Sequence, residues 1–232
     1  MSFELIVFDW DGTLMDSETR IVTCLQAAFR DLGVPEPSPA DARDVIGLGL
    51  QEAMQRLMPT ADQALRQAVS DGYRQHFLVT NQTRSLLFDG VRDTLTQLAA
   101  QDYLLAVATG KSRIGLNQSL TESGLTGFFH ATRCADETHS KPNPQMLFEV
   151  MNELGVSPSA TLMVGDTEYD LQMANNAGTA AVAVCCGVHS AERLLALNPL
   201  ACFDNVNAIP AWLNQFQSHI PAAHLAPQHQ QS

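Results

Sequence analysis

Lysine is nearly absent from this chain. Of 13 basic residues only Lys111 and Lys141 are lysines, the rest are arginines, and they face 25 acidic residues for a formal charge of −12. That balance excludes nucleic acid as a partner, because such binding draws most of its affinity from phosphates neutralised by Lys and Arg. Attachment to an anionic membrane is excluded on the same ground. No apolar run is long enough to span a bilayer. The first residues lack the basic start of a signal peptide, and the apolar stretch after them is broken by Asp9, so a cytoplasmic protein is expected. The five cysteines, Cys24, Cys134, Cys185, Cys186 and Cys202, are odd in number and lack the paired close spacing of a zinc site. They read as free, buried thiols.

What is present is the composition of a soluble globular protein, 45% hydrophobic and 16% charged. At 232 residues the chain is long for one compact domain and short for two large ones, so a core domain carrying an insertion is expected. Leu5 to Phe8 is the continuous apolar run of a strand buried on both faces. From Ser17, a plausible N-cap, the period changes: Ile21, Cys24, Leu25, Ala28, Phe29 and Leu32 recur at helical spacing as far as Gly33. Further helices follow with no strand between them. Ser38-Pro39 opens one, Leu50, Met54 and Leu57 mark a second stripe, and Leu65, Val69, Tyr73 and Phe77 mark a third.

After Phe88 strands and helices alternate. Strands are expected over Tyr103–Ala108, Phe128–Thr132, Thr161–Val164 and Ala180–Val184, with helices between them. Strands separated by helices imply parallel pairing through right-handed crossovers. The expected fold is therefore α/β, a doubly wound, mainly parallel, Rossmann-like sheet with an inserted all-α unit. Residues 1–15 and 87–218 would form the core, residues 16–86 the insert, and residues 219–232, rich in Pro, Gln, His and Ala, a mobile tail.

Sheets of this kind bind ligands at the carboxyl ends of their strands, and the polar residues gather there. Asp9 and Asp11 follow the first strand, Thr109 and Gly110 the second, Lys141 the third, and Asp166 the fourth with Asp170 close behind. At a strand end residues i and i+2 face the same side, so Asp9 and Asp11 can share a site while Trp10 points away. Two carboxylates so placed hold their protons unequally unless a cation intervenes. One, kept ionised, can act as nucleophile while the other moves a proton. Asp166 and Asp170 add hard oxygen donors that could join Asp9 around one Mg²⁺, and both could also cap a helix. Thr109 and Gly110 would open a helix that favours an anion, and Lys141 would set a point charge on a phosphoryl oxygen. Lys111, just after that loop, reads equally well as a solvated surface lysine and is left out of the site. Together these parts suit phosphoryl transfer.

The segments "DWDGTL", "ATG", "KPNP" and "GDTEYD", in that order and spacing, resemble the four motifs of the haloacid dehalogenase superfamily. The helical insert after the first motif resembles the cap of its phosphoglycolate phosphatase and β-phosphoglucomutase branch. The resemblance implies a Mg²⁺-dependent phosphatase acting on a small phosphorylated metabolite, with Asp9 as nucleophile and Asp11 as general acid and base. It further implies Mg²⁺ held by Asp9, the Asp11 carbonyl, Asp166 and, directly or through water, Asp170, and a phosphoryl group held by Thr109, Gly110 and Lys141. "CCGVHS" after the fifth strand departs from the family's usual aromatic version and is expected at the hinge or rim, away from the chemistry.

Other readings compete. A dehalogenase would not need Asp11, and a phosphonatase would need a cap lysine, which residues 15–88 lack. A phosphomutase shares the core machinery but needs a grip for a second phosphate, which the loop "IGLGLQEAM" does not evidently supply. A non-catalytic phospho-ligand-binding protein on the same fold predicts a damaged motif residue, and none is seen. Oligomeric state is not encoded in any of these features.

Overall fold

In the computed structural model, residues 2–218 are described; the expected tail over 219–232 lies outside them. In chain order come β1 (Leu5–Phe8), β2 (Met15–Asp16), α1 (Glu18–Asp31), α2 (Pro39–Asp44), α3 (Leu50–Leu57), α4 (Gln63–Gln75), a π turn (His76–Thr80) and β3 (Leu86–Leu87). Then α5 (Val91–Ala100), β4 (Leu104–Thr109), α6 (Arg113–Ser123), β5 (Ala131–Cys134), α7 (Gln145–Leu154), β6 (Thr161–Gly165), α8 (Glu168–Ala177), β7 (Ala180–Val184), α9 (Ala191–Leu195), β8 (Cys202–Phe203) and α10 (Ile209–Ser218) complete the described chain.

The main sheet runs β5-β4-β1-β6-β7-β8, and its pairings are all parallel. Continuous apolar strands are required because both faces are covered. Ile6, Phe8, Leu105, Val107, Leu162 and Val164 face one core shared with α5 and α10, while Leu5, Val7, Ala106, Ala108 and Met163 face another shared with α7 and α8. The order reverses at β1, whose neighbours β4 and β6 both come later in the chain. That switch point opens a crevice at the strand ends, flanked by Asp9, Thr109 and Asp166.

The helices α1 to α4 pack around a core of their own that includes Phe29, Ile46, Met54 and Val69. Tyr169 of α8 enters this core from the sheet side. Its hydroxyl donates to the Asp44 carbonyl at 2.6 Å and accepts from Arg56 at 2.7 Å, and the Arg56 guanidinium lies over its ring. The chain enters and leaves the helical region through β2 and β3, which pair antiparallel. These two strands, and β8, are too short to carry a periodic signal, which is why the pattern of residues alone does not announce them.

One strand is displaced from its expected place. Phe128–Thr132 was the sequence expectation, whereas β5 spans Ala131–Cys134. Gly124 and Gly127 both take positive φ, and the Phe128 N–H turns back to the Leu125 carbonyl at 3.1 Å. The two phenylalanines are thus spent in a turn that packs on the sheet edge, and pairing begins only with Ala131 opposite Ala106.

Leu105 is fully buried in β4, opposite Ile6. Leu105→Ala is expected to lower stability by about 2–5 kcal/mol, read as a shift in the urea midpoint at unchanged slope.

Candidate active site

Asp9 stands one residue past β1, where its N–H donates to the Val164 carbonyl at 2.9 Å and so continues the sheet beyond the strand. Its carboxylate, with those of Asp166 and Asp170, offers oxygens that lie within 4.8 Å of one another, all buried. Lys141 reaches into this trio from the segment between β5 and α7 and is 1% exposed. Its Nζ lies 2.7 Å from Asp9 Oδ1 and 2.6 Å from Asp170 Oδ1. These are ion contacts by distance, although their angles leave Nζ and both oxygens without a directed hydrogen bond.

Burial pushes the Asp9 carboxyl well above the ordinary range; Lys141 pulls it back, and Asp170 and Asp166 push it further up. The Asp166 carboxyl is pushed up to about 7, first by burial and then by Asp170. Lys141 moves the opposite way to a buried amine: burial alone would lower it, but Asp170 and Asp9 hold it above the usual lysine range. Fully ionised, the three carboxylates would carry more negative charge than one lysine neutralises. Asp9 Oδ2 has no hydrogen-bond partner among the described residues.

The chain fixes these carboxylates by leaving space for nothing else. Asp166 Oδ1 accepts from the Thr13 hydroxyl at 2.7 Å and Oδ2 from the Val188 N–H at 3.0 Å. A Cβ on Gly12 would meet Asp166 Oδ2 at 2.3 Å, and one on Gly187 at 1.9 Å, so only glycine fits at either position. The expectation that "CCGVHS" stands apart from the chemistry is thus corrected, because Gly187 and Val188 hold Asp166. Asp170 fills the cap role expected of it and still turns one oxygen toward the trio. Its Oδ2 closes a capping box with the Thr167 hydroxyl (2.6 Å) and N–H (3.1 Å), while Oδ1 faces Lys141.

Asp11 is set apart from the trio. The Ser17 hydroxyl donates to its Oδ1 at 2.5 Å, and Lys111 Nζ lies 2.9 Å from the same oxygen. Ser17 sits at the N-cap of α1 without capping it, since its hydroxyl is turned to Asp11 instead. Lys111 is likewise no surface residue. Its side chain is 7% exposed, and its ammonium stands 4.5 Å from the centroid of the Phe77 ring. The scarcity of lysine in the chain is the sequence signal that agrees with this placement.

Thr109 ends β4 fully buried, and its Oγ1 accepts from the Lys111 N–H at 3.2 Å. The helix that follows is capped by Ser112 rather than by Thr109, so Thr109 and Gly110 form the turn before it. A Cβ on Gly110 would come within 2.4 Å of the Leu48 carbonyl. The loop of the helical insert therefore seats directly on this turn, and the Gly49 N–H adds a 2.7 Å bond to the Ser140 hydroxyl beside Lys141.

The donor set fits a small hard cation: three carboxylates brought together against one ammonium, and a buried oxygen with no hydrogen-bond partner among the described residues. Chemically the arrangement pairs a carboxylate with free lone pairs, Asp9, against a second one, Asp11, that is oriented separately.

Residues 6–184 match the family model described as haloacid dehalogenase-like hydrolase. The chain is 37% identical over 210 residues to "Probable phosphatase IndB" of Dickeya dadantii, covering 88% of this chain and 91% of that one. It is 30% identical over 212 residues to a plasmid-borne phosphoglycolate phosphatase of Cupriavidus necator, covering 90% and 92%. Among solved structures, a predicted phosphoglycolate phosphatase from Haemophilus somnus superimposes with a TM-score of 0.83 at 26% identity, covering 91% of this chain and 98% of that one.

Lys141→Met removes the ammonium from between two buried carboxylates. In metal-free buffer at pH 8 this is expected to cost about 3–5 kcal/mol of stability by urea unfolding. The loss should be smaller at pH 6, because a carboxyl whose folded pKa is raised stabilises the fold only while protonated, and its penalty grows as pH rises from the ordinary carboxylate range.

Proposed function

The chain belongs to the haloacid dehalogenase-like hydrolases, and from that premise we propose that it is a Mg²⁺-dependent phosphatase of a small phosphorylated metabolite, working through a phosphorylated Asp9. The observation that carries this reading is Lys141 set between Asp9 and Asp170 inside a buried carboxylate trio, with Thr109 on the adjacent strand end. Its relatives bear phosphatase names, which supports the same reaction class.

In this reading Asp9 attacks phosphorus with the oxygen that no protein group occupies. The bond from phosphorus to the alcohol oxygen breaks, and the electron pair leaves with that oxygen. Asp11 delivers the proton it needs; Ser17 and Lys111 engage Oδ1, so Oδ2 is the oxygen left to carry that proton. Asp11 then takes a proton from water, the water oxygen bonds to phosphorus, and the bond to Asp9 breaks to restore its carboxylate and release phosphate. Lys141, Thr109 and the Gly110 N–H hold the transferring group, with Lys141 screening it from the buried acids.

The residues suited to hold Mg²⁺ are Asp9, Asp166, the Asp11 carbonyl and, directly or through water, Asp170. Bound there, the ion supplies the positive charge that lets anionic phosphate approach carboxylates. Residues 16–86 act as a lid in this proposal, residues 1–15 and 87–218 as the catalytic core, and the β2–β3 ribbon as the crossing between them.

Asp9→Asn is expected to reduce hydrolysis of p-nitrophenyl phosphate by at least about a thousandfold, measured as released phenolate. EDTA should abolish turnover of the unmodified protein and Mg²⁺ restore it; full activity persisting in EDTA would remove the metal from the proposal.

A further inference from the structure

We propose, resting on the phosphatase reading above, that the alcohol released is uncharged and several times larger than glycolate, and carries hydroxyl or N–H donors. A carboxylate-bearing alcohol or one with a second phosphate is disfavoured.

The leaving group must occupy the space between Asp11 and the helical insert. A cavity of about 450 Å³ lies there, with Asp11, Gly110 and Lys111 on the sheet side. Its insert side is largely carbon, with Leu25, Ile46, Leu48, Tyr73 and Phe77 among the lining residues. Ligand cavities of roughly 300–1,000 Å³ house molecules much larger than a two-carbon acid. Glycolate would leave most of this one filled with water against an apolar wall.

The charges in the lining point the same way. Three carboxylates, Asp11, Glu52 and Asp136, are set against Lys111 and Arg74. Both cations are already paired: Lys111 is engaged by Asp11 and covered by Phe77, and Arg74, half-exposed, sets one guanidinium nitrogen 2.6 Å from Asp71. His139 stands at the exposed rim. The insert's other arginines with ordered partners are engaged elsewhere: Arg20 at the Phe77 carbonyl, Arg30 with Glu36, Arg43 with Glu18, Arg56 with Tyr169 and Asp44, and Arg66 at the Met58 carbonyl. An additional anionic group would therefore lose its hydration without meeting an unpaired cation, and would meet Glu52.

Glu52 is the positive half of the argument. It lies in the first turn of α3, faces the cavity and has no hydrogen-bond or ion-pair partner among the described residues. An ionised carboxylate only accepts, so it selects donors, hydroxyls or N–H groups, on the substrate. Tyr73 offers a complementary group, because burial and the nearby Asp11 push its phenol well up and keep it protonated.

The test compares kcat/KM of the Mg²⁺-loaded protein for p-nitrophenyl phosphate, glucose 6-phosphate, a nucleoside 5′-monophosphate, phosphoglycolate and fructose 1,6-bisphosphate. The better of the two uncharged metabolite esters is expected to exceed phosphoglycolate and the bisphosphate by at least about tenfold. Glu52→Lys should raise kcat/KM for phosphoglycolate relative to that ester by about tenfold, mainly through KM, and Glu52→Gln by about threefold. If p-nitrophenyl phosphate turns over but phosphoglycolate or the bisphosphate equals or leads the uncharged esters, this proposal is overturned and the phosphatase reading stands. A relative preference unmoved by both Glu52 variants, each confirmed folded by its thermal transition, also overturns it. If no ester, aryl phosphate included, is hydrolysed, the phosphatase reading itself fails.

Discussion

The site is organised around one electrostatic constraint: three carboxylates share a dry volume with a single ammonium. Asp9, Asp166 and Asp170 are buried, and Lys141 lies within hydrogen-bonding distance of two of them. Removing such groups from water penalises each charge, and like charges at this range penalise one another. The fold accommodates the arrangement by holding two carboxyls above their ordinary range and the lysine above its own. A cation of higher charge relieves the same strain more completely than a proton can, because it attracts all three carboxylates at once.

Everything around the trio acts to keep it from relaxing. A carboxylate with room would rotate away from its neighbours or draw in water. Asp166 is fixed at both oxygens, by Thr13 and by the Val188 N–H, and Asp170 is tied at one oxygen to the cap of α8. Gly12 and Gly187 bring backbone so close to Asp166 that no side chain fits between them. The parallel sheet supplies the stiffness, since Asp9 and Asp166 follow neighbouring strands in fixed register. A doubly wound order is what places those ends side by side.

Much of this was legible in the residues. Apolar runs of four to six, separated by helical periods, imply a parallel sheet, and aspartates just past the strands imply a polar edge. The register of β1 against β6 was not legible, because it depends on packing of both faces at once. Ser17 stands at the expected N-cap position, but its hydroxyl serves Asp11: a serine before a helix satisfies either its own helix or a neighbouring carboxylate, and only the third dimension decides. The roles of Gly187 and Val188 were not legible, because a backbone N–H leaves no mark in a sequence. The position of β5 was shifted because two phenylalanines pack equally well in a strand or in a turn lying on one.

Lys111 shows most directly how composition can outrun motif. A chain that places arginine at eleven of thirteen basic positions has kept lysine at two, and both stand in the site. Guanidinium is broad and planar, with donors fixed in a fork, whereas ammonium is a compact point charge. Lys141 must contact two carboxylates from within a space that admits almost no solvent, and Lys111 must fit between Asp11 and the face of Phe77. Arginine predominates where the basic groups lie in wider spaces, as with Arg30, Arg113 and Arg133, each held by paired carboxylate contacts. At these two positions a compact ammonium, rather than a forked guanidinium, meets the buried carboxylates.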